Sequence, residues 1–205
     1  GLHARQPFNS FPPSQNNTDI YVVDVTNNQI WTSSVNSLPT GLKEQLQSTN
    51  MNFHKDQDTL YIIGGYGFSA TANDHITYPY LTSVNISGLI NAIENNQPIT
   101  THFKQIQDNV FKVTGGHLKK LNGLFYLVGG HLFDGRYNPM GNPTYTQEYT
   151  NQIRKFAIDN SGTQLSYNNY SNITDPVHLR QRDNNLLPQI FTNGEHGLTI
   201  ISGVF

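Results

Sequence analysis

The sequence predicts an all-β fold built from repeated four-stranded antiparallel units, and three observations predict it. An apolar run ending in glycine occurs three times, as LYIIGG at 60–65, LFYLVGG at 124–130 and LTIISG at 198–203. The last glycines stand at 65, 130 and 203, so the steps are 65 and 73 residues, too long for a helical repeat. Segments of alternating polarity sit at matching places between these runs. Aromatics at 11% with 17 glycines and 10 prolines, against only 13% charged residues, are the composition of many short strands joined by tight turns.

The elements follow in order within each unit. DIYVVDV (19–25), YLTSVNIS (80–87) and NQIRKFAID (151–159) alternate well enough for half-buried strands, here strand c. A polar turn, TNN or NSG, leads in the first and third copies to strand d: QIWTSS (29–34), ITTHFKQI (99–106) and QLSYNNYS (164–171). In the second copy GLINAIENNQP replaces that turn, and its Leu89, Ile90 and Ile93 recur at helical spacing, which predicts an inserted helix. Strand a is expected at 50–56, 109–118 and 185–192, and strand b carries the glycine pair. Asn122-Gly123 and Asn193-Gly194 mark tight a–b hairpins. The matching strand c residues Val23, Val25, Val84, Ile86, Phe156 and Ile158 are expected to be buried between sheets.

Four strands per unit, a glycine pair closing the second strand, and YVVDVTNNQIWTSSVNSLP with Asp24, Trp31 and Leu38-Pro39 resemble the kelch repeat of β-propellers. The resemblance spans 19–205; it departs from the pattern where only the first unit keeps the tryptophan and Ser202 replaces the first glycine of the third pair. It implies kelch-type blades in units of about 1–66, 67–131 and 132–205, about three in number. A closed propeller needs at least four blades. These residues are therefore expected to be part of a six- or seven-bladed ring, completed by the same parent chain or by a second copy.

Alternating strand direction sends the b–c and d–a connections to one face. The long b–c loops at 1–18, 65–79 and 130–150 carry Arg5, Tyr66, His75, Tyr78, His131, Arg136 and Tyr137, and the d–a connection 174–184 adds Arg180 and Arg182. Arginines and aromatics on loops held by a rigid scaffold suit recognition of a protein or glycan. Local pairing, Arg136 with Asp134 and Arg182 with Asp183, is the competing use of these side chains. Both loops, 66–79 and 131–149, are expected to be mobile because they are long, polar and rich in Gly, Asn and Pro.

Other classes are disfavoured by what the chain contains. Net charge is −2, without a basic face for nucleic acid. No apolar run reaches the roughly 20 residues that span a bilayer. The absence of cysteine removes disulfides and thiolate chemistry, including the cysteine-crosslinked copper site of the galactose-oxidase branch of kelch propellers. GGHL occurs at 115–118 and at 129–132, but an Asn122-Gly123 turn would set His131 opposite Thr114 and turn His117 and His131 to opposite sheet faces. A site joining one of them to His75 or His178 is the alternative; the expectation is no metal and no other cofactor. The function expected is a non-catalytic binding module, exported and displayed on a bacterial surface. The alternative is a sugar-converting enzyme of epimerase or mutarotase type, with charged side chains such as Arg5, Arg136, Arg180 and Arg182 around the propeller axis.

Overall fold

Strands dominate the computed structural model, which describes residues 10–138 and 144–205. In chain order they are β1 (Asp19–Asp24), β2 (Gln29–Ser34), β3 (Asn52–Asp56), β4 (Thr59–Ile63), β5 (Tyr66–Ser69), β6 (Asp74–Thr77), β7 (Tyr80–Asn85), β8 (Phe103–Gln107), β9 (His117–Leu121), β10 (Leu124–Val128), β11 (His131–Gly135), β12 (Tyr145–Tyr149), β13 (Gln152–Asp159), β14 (Ser166–Thr174), β15 (Asn185–Ile190) and β16 (His196–Ile201). Two helices, α1 (Thr40–Leu46) and α2 (Ile86–Glu94), lie between them.

Two antiparallel four-stranded sheets form the centre, β3-β4-β7-β8 and β9-β10-β13-β14. Each follows the order a, b, c, d. A c–d hairpin, β1-β2, precedes them and an a–b hairpin, β15-β16, follows. The first central sheet is apolar on both faces, which is why LYII reads as a continuous run. Tyr61, Ile63 and Leu81 pack with Leu118, Phe125, Leu127 and Phe156 of the second sheet. Ile62 and Val84 face the other way, onto Val35, Leu42 and Ile93, with Ile20, Val22 and Trp31 of the first hairpin against them. The sheets are therefore stacked in sequence order, and β3 lies beside β9 as β9 lies beside β15.

The glycine pair accounts for this stacking. Gly64 and Gly65 have φ of 66° and 103°, a region costly to residues with a Cβ. A Cβ on Gly64 would lie 1.8 Å from the carbonyl oxygen of Val113, and one on Gly129 would lie 2.7 Å from that of Gln181. The carbonyls belong to the segment entering the following unit. The second glycines donate to the same oxygens, Gly65 N to Val113 O at 3.1 Å and Gly130 N to Gln181 O at 2.8 Å. One unit's strand b thus meets the next unit backbone to backbone.

Several expectations are corrected. Val23 and Val25 are 55% and 83% exposed, because the β1-β2 register sets Val22 opposite Trp31 on the packed face and Val23 opposite Ile30 on the open one. Val84 and Phe156 are buried, Ile158 is partly buried, and Ile86 opens α2 instead of ending a strand. Asn85 caps that helix by accepting from Gly88 N at 2.7 Å, which stops strand c two residues earlier than expected. The second strand a begins at His117, not 109. Asp108 accepts from Val110 N and tightens 109–111 into a 3-10 turn, and Phe111 and Val113 plug the core instead of continuing a ladder. The b–c loops carry hairpins, β5-β6 and β11-β12, with buried residues among those described, an order that loop composition does not announce. Nor does the sequence announce α1, which has no polar N-cap.

Gly64→Ala should destabilise the fold by about 2–5 kcal/mol, the strain of a left-handed alanine added to overpacking against a backbone carbonyl. Gly123→Ala should cost only about 1 kcal/mol, since a Cβ there meets nothing within 4 Å. Urea unfolding of the two variants measures the difference; equal losses would remove the close approach as the reason for the pair. Phe156→Ala, at a fully buried position, should cost about 3–5 kcal/mol in the same assay.

Candidate functional site

Directly after each glycine pair, the next residue forms a backbone bridge to the segment that precedes strand a. Tyr66 pairs with Thr49 and His131 with Thr114, while Val204 pairs with Arg182 in the third unit. The neighbours Asn50, Gly115 and Asp183 all adopt left-handed φ, 53°, 65° and 51°. Their backbones are linked in a row: Gly115 N donates to Asn50 O at 3.0 Å and Asp183 N to Gly115 O at 2.7 Å. Repetition has therefore brought three corresponding positions from three units side by side. Thr114 Oγ1 also donates to Asn50 O, at 3.1 Å.

Above this row the b–c hairpins build an aromatic wall. They are stitched together through the buried Thr77, whose hydroxyl donates to Phe133 O at 2.8 Å and accepts from Phe133 N at 2.7 Å. Asp134 accepts from Thr77 N at 3.0 Å and forms an ion pair with Lys112 at 2.8 Å. The rings of Phe133 and Tyr145 stack with centroids 4.5 Å apart. Tyr66 donates its hydroxyl to Gly135 O at 2.8 Å and accepts from Tyr137 N at 3.0 Å, and burial pushes its pKa well up. Row and wall enclose a cavity of about 410 Å³. Its aromatic side is Phe11, Tyr66, Phe133, Tyr137 and Tyr145; its polar side is Thr49, Asn50, Thr114, His131, Gln147, Arg182 and Asp183.

His131 is the buried titratable group of this cavity. Gln147 Nε2 donates to its Nδ1 at 2.7 Å, which leaves the ring proton on Nε2. Burial, reinforced by the Arg182 charge and opposed by Asp183, lowers its pKa to about 4. Arg182 and Asp183 form an ion pair with each other.

Of the residues singled out from sequence, Tyr66, His131, Tyr137 and Arg182 line the cavity. Arg5 lies outside the described residues. His75 is buried and donates from Nε2 to Phe11 O at 2.9 Å. Tyr78 is buried too, with its hydroxyl donating to Phe68 O at 2.7 Å; that burial raises its pKa strongly. Arg136 Nε donates to Ser10 O at 2.8 Å and does not pair with Asp134. Arg180 sits over the Tyr149 ring at 4.8 Å. Sequence reasoning missed Asn50, Thr114, Tyr145 and Gln147. The alternation in YTQEY was the available signal for the last two, since it sets Tyr145, Gln147 and Tyr149 on one face.

His131 lies opposite Thr114, while His117 lines a separate cleft with Asn52 and Asn184. Among the described residues no three His, Asp or Glu side chains cluster as a metal site would require. No protein-family model matches this chain, and no curated protein does.

The His131 shift has a signed consequence. Its folded pKa of about 4 lies below the ordinary 6.5, so the unfolded chain takes up the proton first as pH falls. Stability should fall between pH 6.5 and 4 by up to about 3 kcal/mol. Thermal melts across that range should show a smaller loss for His131→Gln; an identical slope in the variant would mean that His131 is not the group responsible.

Proposed function

We propose that this chain is part of a kelch-type β-propeller that acts as a binding module for a protein or glycan, with its ligand site on the b–c face. A bacterial cell-surface setting belongs to the same proposal. The observation that carries it is the cavity where three units converge, an aromatic wall facing a polar row on side chains held by hydrogen-bonded hairpins. Such concave sites with few convergent polar groups are where ligands bind. The epimerase or mutarotase reading needs a pair of groups free to move protons. Among the described residues the cavity offers His131, held neutral, and Asp183, held by Arg182.

Support for the propeller comes from the equivalence of units. Gly64 N donates to Tyr80 O and Gly129 N to Gln152 O; Asp108 N donates to Pro79 O, Asp175 N to Asn151 O and Val35 N to Thr18 O. Asp19 thus corresponds to Tyr80 and Gln152. No described strand covers the outer edge of β1 or of β16. In the complete sheets Ile63 faces Leu81 and Val128 faces Ile153, so Ile201 calls for a strand c residue of the kind Ile20 represents. The remaining blades come from the parent chain or from a second copy.

Two experiments test this. Tyr137→Ala combined with Tyr145→Ala should lower capture on peptide and glycan arrays at least tenfold with the melting temperature largely kept, whereas unchanged capture rejects the face assignment. Sedimentation of the 205-residue, 23.0 kDa chain should show association. A compact monomer that unfolds cooperatively would reject the open-propeller reading.

A further inference from the structure

We infer that the ligand of this cavity is an uncharged pyranose sugar, one of whose hydroxyls sits between His131 Nε2 and Asp183 Oδ1. The inference rests on the reading of this cavity as the ligand site. It goes beyond that reading by naming the chemistry.

Charge comes first. Among the described residues, the charged ones lining the cavity are Arg182 and Asp183, and they neutralise each other as an ion pair. His131 carries no charge at neutral pH, because burial opposes its protonation. A carboxylate or phosphate ligand would find Arg182 already engaged and Asp183 repelling it, and desolvating an anion without a matched partner is costly. A cationic ligand meets the same difficulty with the signs reversed.

The polar groups also mix donor and acceptor at close range. A Cβ built on Gly115 would lie 3.0 Å from Asp183 Oδ1 and 3.5 Å from His131 Nε2. Nε2 carries the ring proton because Nδ1 accepts from Gln147. Oδ1 is the carboxylate oxygen that Arg182 does not hold. A donor and an acceptor thus stand close together beside Gly115. A hydroxyl between them can accept from Nε2 and donate to Oδ1, whereas an anion can only accept.

The wall supplies the other half of the match. A pyranose has an apolar C–H face and a polar rim, and the cavity lining joins the stacked pair Phe133 and Tyr145 to polar groups beside them, with the His131 ring 5.7 Å from that of Phe133. The volume of about 410 Å³ accommodates one or two sugar rings.

The test uses the chain in its native assembly and two variants. Gly115→Asn crowds the gap between these groups: its left-handed φ suits asparagine, as at Asn50 and Asp183, while the added Cβ would press on Asp183 Oδ1 at 3.0 Å. Tyr145→Ala removes part of the wall. Saturation-transfer NMR and titration calorimetry with methyl glucoside, galactoside and mannoside, alongside glucuronate and sialic acid, should detect a neutral sugar with its ring C–H protons saturated most. Affinity should drop at least tenfold in both variants, and the acidic sugars should bind more weakly than their neutral counterparts. An acidic sugar bound as tightly as the neutral one overturns the charge argument. Full binding by Gly115→Asn overturns the placement of the hydroxyl. Capture of a peptide at this face with no sugar bound overturns the ligand class but leaves the binding module standing, and no capture of either kind removes both readings.

Discussion

The contact on which the rest of the structure depends is the meeting of one unit's glycine pair with the backbone of the next. Val113 O comes close enough to Gly64 that no side chain could stand between them. Because this approach is backbone to backbone, it fixes the spacing of adjacent sheets independently of the side chains that fill the core. The aromatic interlock of Tyr61, Phe125 and Phe156 then packs a gap whose width is already set, with Tyr61 and Phe125 edge to face at 5.0 Å. Loss of a core ring leaves a cavity, whereas loss of the glycine alters the distance between layers.

The same contact builds the site. The second glycine of the pair touches the next unit, and the residue after it bridges back to the segment before its own unit's strand a. Two turns of this kind place Tyr66 and His131 beside the row Asn50, Gly115 and Asp183. The b–c hairpins start at these bridges and carry their aromatic rings over the row. Asn50, Thr114 and Asp183 are thus placed by stacking, while the hairpins add His131, Gln147 and the aromatic rings, the part that loop sequence can vary.

Most strands were legible because their signals are local. Apolar runs, alternation and Asn-Gly turns report on residues a few positions apart, and even the opposition of His131 to Thr114 followed from turn length alone. What was illegible depended on distant partners. Val23 and Val84 look alike in sequence, yet only Val84 has another layer over it. The segment 109–113 reads as a strand because Phe111 and Val113 are apolar, but their use is to fill the core between two sheets. The hairpins within the long loops were not read at all, because what joins them, Thr77 and Phe133, lies 56 residues apart. In the site, glycines and arginines were visible as types, but Asn50 and Thr114 gain meaning only when corresponding positions of successive units are laid side by side.

Ser202 limits how far the units can be treated as copies. It holds the left-handed φ of the first glycine, 56°, so the turn itself is kept at a modest cost for a residue with a Cβ. What cannot be kept is the approach. A Cβ would come within 1.8 Å of the next unit at Gly64 and 2.7 Å at Gly129, both closer than side-chain carbons come to an oxygen, and Ser202 carries that carbon. A carbonyl approach like that of Val113 to Gly64 is therefore excluded at Ser202. Ile201, Val204 and Phe205 lie exposed beside this turn. The close backbone contact thus relaxes from Gly64 to Gly129 and has no room at the third turn.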